Sequence, residues 1–525
     1  MTTRRTALRQ LAVGLLAARS SRAAEASVNI RIDEPIGPIA PALYGHFTEH
    51  IGGVIYGGVW VGENSSIPNE HGLRKRLLDS LRLLRPPVIR WPGGCFADSY
   101  DWRDGVGPRA KRPRRLNFWQ TDPQLAKAPD GPQKYEPNEF GTAEFMRFVR
   151  AVGAEPYFAA NVRSLTPRDF HEWIDYCNTP AGKTTLADQR AASGDAEPYR
   201  VRYWGVGNES WGCGGDLTPD EYAMEFRRFT SYVPKFDAPL SLIAAGPNGG
   251  DLNWTRRFFA NLAEKSPGLL NRVWGWALHY YCGTAGKGQA LDFDVADWYA
   301  LLGKASRMED LIVQHWAAMG EVDARRKVKL VVDEWGAWHR AGSEVDPAYL
   351  FGQTPTLRDA LISALTLDIF QRHADKVAMA NVAQLVNNLH ALFLAREDKF
   401  TETPNYHVFR MYMPHAGATS VRADFSAPQA AGMWRLAGSA SIRGRQLTLT
   451  AVNSHATEEC AAAIAIPGYK VASASSTTLA STDLRAHNSF EAPRRLEPRT
   501  APAELASGVY RFPPASVTRL DITLA

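Results

Sequence analysis

Val328-Lys329-Leu330-Val331-Val332-Asp333-Glu334-Trp335 is a short apolar run that ends on two carboxylates and an aromatic ring. It reads as a buried strand, and seven comparable runs lie around it: Ala42–Glu49, Pro87–Gly93, Glu155–Val162, Val201–Glu209, Leu240–Pro247, Val273–Tyr281 and Val377–Val386. Amphipathic stretches separate them, among them Asn138–Val152, Pro219–Tyr232, Ala296–Met319 and Thr356–Arg372. Strands alternating with helices make parallel β-α units, and eight of them predict a closed (β/α)8 TIM barrel over residues 42–414. A doubly wound open sheet is the alternative. It would usually carry a glycine-rich phosphate loop after an early strand, and no G-x-G-x-x-G or Walker-type motif stands where one is needed.

After Pro414 the pattern changes to period two. Gln446-Leu447-Thr448-Leu449-Thr450-Ala451-Val452 and Ser516-Val517-Thr518-Arg519-Leu520-Asp521-Ile522 alternate as half-buried strands do, so residues 415–525 are expected to form an antiparallel β-sandwich. Ser27–Ile32 alternates in the same way, and residues 27–41 are expected to add a strand to that sandwich.

The 525 residues are 45% hydrophobic and 22% charged, an ordinary globular composition for two or three domains. The formal charge of +5 is concentrated at the N-terminus, where residues 1–26 hold five arginines against Glu25. Without them about +1 remains, and no basic stripe suits a nucleic-acid partner. Arg4-Arg5, the apolar stretch Leu11–Ala18 and the small residues Ala24-Glu25-Ala26 resemble a twin-arginine signal peptide with a cleavage site. The expectation is export to the periplasm or beyond, with no membrane span, since that stretch is too short to cross a bilayer. Cys95, Cys177, Cys213, Cys282 and Cys460 are odd in number and scattered, which predicts neither a disulfide framework nor a zinc site. No metal or cofactor is expected.

In a barrel of this kind the working residues sit at the C-terminal ends of the strands. The fourth run closes on Gly207-Asn208-Glu209 and the seventh on Asp333-Glu334-Trp335, so carboxylates 125 residues apart should face one barrel mouth. Two carboxyl groups about 5–5.5 Å apart are what a retaining glycosidase needs, one as nucleophile and one as acid and then base.

With those two sites placed, the chain resembles the α-L-arabinofuranosidases of glycoside hydrolase family 51 from about Ile36 to His415. The resemblance rests on Gly45-His46-Phe47-Thr48-Glu49-His50, Arg90-Trp91-Pro92-Gly93-Gly94-Cys95-Phe96, Trp102-Arg103-Asp104-Gly105 and Asn138-Glu139-Phe140-Gly141. It continues through Gly207-Asn208-Glu209-Ser210-Trp211-Gly212, His279-Tyr280-Tyr281, Asp333-Glu334-Trp335-Gly336 and Ala380-Asn381-Val382-Ala383-Gln384. The resemblance implies a barrel with a jelly-roll sandwich and release of terminal α-L-arabinofuranosyl groups from plant oligosaccharides or polysaccharides. It makes Glu209 the acid/base and Glu334 the nucleophile. It also implies that Asn208 bonds the sugar 2-hydroxyl, that Glu49, Gln384 and the Cys95 region line the furanose subsite, and that His279 and Tyr281 orient the carboxylates. Trp119 and Trp211 are candidates for stacking on sugar, Cys95 is expected to be a small wall residue rather than a reactive thiol, and the family association suggests a homo-oligomer.

Two departures stand out. Arg163 brings a bulky cation to the mouth after the third run, and Lys111-Arg112-Pro113-Arg114-Arg115 makes the loop Asp104–Pro132 basic. That loop is either a solvated segment or a contact for an acidic backbone such as pectin. Other readings of the chain are the same fold and mechanism acting as a β-xylosidase or endo-glucanase, and a carbohydrate-binding protein without catalysis.

Overall fold

The structure, a computed structural model, describes residues 24–234, 239–283, 287–505 and 508–525. After an N-terminal strand β1 (Ala26–Pro38), eight strands close a parallel barrel in chain order: β2 (Gly45–Phe47), β3 (Val88–Trp91), β4 (Glu155–Ala160), β5 (Tyr203–Val206), β6 (Ser241–Ala244), β7 (Gly275–Cys282), β8 (Lys329–Ala337) and β9 (Val377–Ala383). Each falls on one of the apolar runs read from the sequence, β7 and β8 running past its end by one and two residues. Val88, Tyr157, Ile243, Ala277, Val331 and Met379, one from each of six strands, pack together as a core of their own within the barrel.

Between the strands run α1 (Lys75–Leu84), α2 (Thr142–Val152), α3 (Pro167–Asn178), α4 (Thr185–Ala192), α5 (Pro219–Phe229), α6 (Leu252–Lys265), α7 (Val295–Gly320) and α8 (Leu357–Arg372). The sequence marks several starts: Thr166 with Asp169, Thr218 with Glu221, Asp294 with Asp297 and Thr356 with Asp359 form capping boxes that satisfy the free N–H groups of the first turn. The larger core lies between this helical layer and the barrel. No helix among the described residues is long and apolar enough to cross a membrane.

Apart from four short two-stranded ribbons, the remaining strands, which follow the barrel, are β10 (Thr419–Ser426), β11 (Leu436–Arg443), β12 (Gln446–Asn453), β13 (Cys460–Ala465), β14 (Val471–Ala480), β15 (Arg499–Pro502), β16 (Val509–Phe512) and β17 (Ser516–Leu524). With β1 they make one nine-stranded sheet in the order β15-β14-β17-β12-β11-β10-β1-β13-β16. It is antiparallel except where β1 runs parallel to β13. Val28 and Ile30 of β1, Leu447 and Leu449 of β12, Phe512 of β16 and Leu520 of β17 share one core, so the sheet folds over on itself.

The strand ends differ in detail from the sequence reading. β5 stops at Val206, and Glu209 follows in a turn with φ +39°. Glu334 is not terminal, because β8 runs on to Ala337.

Candidate active site

Glu334 and Glu209 face each other across the barrel mouth. An oxygen of each, with a ring nitrogen of His279, lies within 4.8 Å of the others. His279 Nδ1 is 2.9 Å from Glu209 Oε1 and 3.5 Å from Glu334 Oε2. The Tyr281 hydroxyl donates to Glu334 Oε2 at 2.9 Å, and Arg90 donates to Glu334 Oε1 at 2.7 Å. Gly94 packs beneath this pair: a Cβ there would lie 2.8 Å from Glu334 Oε1 and 3.4 Å from Glu49 Oε2, so only glycine leaves room.

Charge is distributed unevenly. Burial works against ionisation of Glu334, but His279 and Arg90 overcome it and hold this carboxyl below the usual range. Burial likewise opposes a charge on His279, yet the pull of Glu334 and the bond to Glu209 hold the imidazole above its usual range. Glu49 goes the other way. Desolvation, reinforced by the charge of Glu334, pushes it up to about 8, so it is a neutral carboxyl at pH 7.

Glu49 is held from two sides, by the Phe96 N–H at 3.1 Å and Gln384 Nε2 at 2.8 Å. The other end of that amide, Gln384 Oε1, is buried without a hydrogen-bond partner. Asn208 accepts from Arg90 at 2.6 Å. Asn208, His279, Tyr281 and Cys95 thus meet Glu209, Glu334 or Arg90 directly, while Glu49 and Gln384 bond each other on the far side of Gly94, which packs against both Glu49 and Glu334.

The expected stacking rings divide. Trp119 begins an aromatic row through Phe351 at 5.7 Å and Trp338, itself 4.8 Å from Phe351, to Tyr281 at 5.6 Å from Trp338. Trp211 is half-buried and packs against the core between barrel and helices.

Three supports escaped the sequence reading. Arg90, whose signal is a lone cation inside the apolar run Pro87–Gly93, ties Glu334, Asp333 and Asn208 together. Asp98 accepts the N–H groups of Val162 at 2.8 Å, Arg163 at 3.3 Å and Asn208 at 3.1 Å, which joins the ends of β4 and β5; burial pushes it up to about 7. Tyr157 donates to Asp333 at 2.8 Å, fixing the residue before the nucleophile candidate.

The cysteine expectation is corrected outright. Cys95 and Cys213 form a disulfide beside Glu209, while Cys177, Cys282 and Cys460 are free and buried. The two halves sit 118 residues apart and meet only because the barrel brings the turns after β3 and β5 together, which spacing does not reveal. Three of the six cations in the basic loop are paired within the protein: Arg112 with Glu144, Arg115 with Asp104, and Arg109 with Glu63 and Glu144. Arg163 donates from Nε to the Asp98 carbonyl at 3.0 Å and lies over the Phe118 ring at 5.7 Å.

Residues 80–266 match the family profile described as α-L-arabinofuranosidase 1 domain, and residues 333–516 the one described as α-L-arabinofuranosidase C-terminal domain. The intracellular exo-α-L-arabinofuranosidase of Bacteroides ovatus is 35% identical over 93% of both chains. The chain belongs to the α-L-arabinofuranosidases of glycoside hydrolase family 51. The intracellular exo-α-(1→5)-L-arabinofuranosidase of Acetivibrio thermocellus is 30% identical over 69% of this chain and 70% of its own. The crystal structure of the family 51 arabinofuranosidase from Xanthomonas axonopodis pv. citri superposes with a TM-score of 0.88 at 34% identity, covering 95% of this chain and 100% of that one.

These relatives overturn the expectation of export, since both bacterial enzymes compared by sequence are named intracellular. Arg4, Arg5 and Leu11–Ala18 lie outside the described residues. The expected cleavage site lies partly within the fold: Glu25 donates its N–H to the Ala461 carbonyl at 3.0 Å, and Ala26 opens β1 with 6% exposure. Cleavage after Ala26 would remove a buried residue from the sheet.

Proposed function

We propose that this family 51 arabinofuranosidase releases terminal α-L-arabinofuranosyl groups by double displacement, with Glu334 as nucleophile and Glu209 as acid and then base. The observation that carries the roles is the asymmetry of the pair, whose oxygens lie within 4.8 Å of each other: Glu334 is held ionised by His279 and Arg90, while Glu209 faces the mouth with its side chain 19% exposed. In the first step a Glu334 oxygen bonds to the anomeric carbon as the glycosidic bond breaks, and the Glu209 proton moves to the departing oxygen. In the second, Glu209 takes a proton from water, the water oxygen bonds to the same carbon, and the Glu334 ester opens.

Asn208, the neutral carboxyl of Glu49 and the unpartnered Gln384 oxygen supply donors and acceptors for the hydroxyls of a small ring. A sugar lacking a hydroxyl at those points leaves a buried group unpaired, at about 1–3 kcal/mol each. Aryl α-L-arabinofuranosides are thus expected to exceed aryl β-xylosides and β-glucosides at least about tenfold in kcat/KM. Proton NMR of early hydrolysis tests the mechanism, with the product first appearing in the retained anomeric configuration; initial inversion would refute double displacement. We extend this reading, on family resemblance, to a homo-oligomer, to be weighed by light scattering.

A further inference from the structure

The disulfide is not remote scaffolding. Cys95 Sγ lies 3.7 Å and Cys213 Sγ 3.6 Å from one atom, Oε2 of Glu209. The other oxygen, Oε1, is taken by His279 Nδ1 at 2.9 Å. The backbone is pinned as well, because the N–H groups of Gly212 and Gly214 both bond the Glu209 carbonyl, at 2.8 and 3.1 Å. Gly214 is packed so closely that a Cβ would fall 1.8 Å from the Asn208 carbonyl oxygen. The bond closes this turn onto the turn after β3 across the barrel mouth. Both cysteines are half-buried, open to a small reagent, whereas the three free cysteines are buried.

The chemistry of the sulfurs matters beyond the tether. Where His279 Nδ1 donates its hydrogen to Oε1, the proton that Glu209 gives the leaving group is carried on Oε2. A disulfide sulfur has no hydrogen and cannot donate to Oε2. A thiol can, and a donor at that oxygen favours the carboxylate over the acid.

We propose that the Cys95–Cys213 disulfide is a positioning element for the acid/base and that its reduction slows proton transfer to the leaving group. The inference rests on the reading of Glu209 given above. The step needs a dithiol as reductant: the S–S bond takes two electrons and two protons to become two thiols, and the dithiol closes to its own disulfide.

The test uses the full chain, untreated and after dithiol, alongside Cys95→Ala/Cys213→Ala and Glu209→Ala. Thiol titration of the denatured enzyme should give three thiols before reduction and five after, as one disulfide and three free cysteines require. Each form is assayed on a dinitrophenyl and an alkyl α-L-arabinofuranoside. Reduction and the double variant should each lower the ratio of kcat/KM on the alkyl substrate to kcat/KM on the dinitrophenyl one by about tenfold or more, since dinitrophenolate departs without protonation. Azide, which attacks the glycosyl-enzyme without a base, should restore kcat on the activated substrate. The double variant should ignore dithiol. Five thiols before reduction, equal kcat/KM in both redox states, or equal losses on both substrates without azide rescue would each overturn the proposal. If Glu209→Ala shows no leaving-group dependence, the acid/base assignment falls; if it does and the reduced enzyme does not, only this inference falls.

Discussion

Arg90 commits one guanidinium to Glu334, Asp333 and Asn208, so a single side chain fixes the nucleophile candidate and the group that would bond the sugar. A planar fork with separate donors does this where an ammonium could not. The two glutamates should then fail differently. Glu334→Ala is expected to abolish turnover on every substrate, because no covalent intermediate forms. Glu209→Ala should cost about 10²–10⁴ in kcat/KM on an arabino-oligosaccharide and far less on an activated aryl arabinofuranoside. Equal losses on both substrates would remove Glu209 from the acid role. Both glutamates were legible in the sequence because each follows an apolar run and a barrel puts such ends at one mouth. Cys213 and Asp98 were not, since each acts through a partner brought near only by closure of the barrel.

At the scale of elements, α8 carries the join between the barrel and the sheet. Nearly every residue of it is buried, and Asp368 on it accepts hydroxyl hydrogens from Ser439 at 2.7 Å, Thr450 at 2.6 Å and Tyr412 at 2.9 Å. Burial pushes Asp368 up to about 7, against a value near 3.9 in the unfolded chain. A carboxyl raised in the folded state binds its proton more tightly there. Its stabilising contribution is therefore complete below about pH 3.9 and is lost as pH climbs through about 7. The slope is at most about 1.4 kcal/mol per pH unit over that window. Asp368→Asn, which cannot ionise, should flatten this part of a Tm-against-pH curve and gain on the wild type at pH 8. A variant curve parallel to wild type would show that Asp368 does not titrate in this window. The sequence revealed α8 as a helical stretch through its spacing. It gave no sign of which polar residues would be enclosed when a second layer covered the helix.

For the whole molecule, the first and the last strands of the described residues, β1 and β17, lie in one sheet. β1 pairs with β10 on one side and β13 on the other, so the strand that precedes the barrel is completed by strands that follow it. Leu479, Val517 and Val452 of the sheet belong to the same core as the helical layer of the barrel, and the Trp298 indole of α7 donates to the Ser454 carbonyl at 2.9 Å. Neither part keeps its apolar surface covered without the other. A shared core makes unfolding of one part expose the other, and the full chain should show one cooperative calorimetric transition rather than two. A chain beginning at residue 39 would leave β10 and β13 without the strand between them and empty the sites of Val28 and Ile30, both fully buried. Large-to-small core changes typically cost about 2–5 kcal/mol per residue, so losing both, together with the hydrogen bonds β1 makes to β10 and β13, is comparable with the margin of about 5–15 kcal/mol that holds a domain folded. That truncated chain is expected to lose arabinofuranosidase activity together with its melting transition, even though it retains Glu209 and Glu334. Two separate transitions in the full chain, or a truncated chain that stays folded and active, would show that the barrel stands on its own.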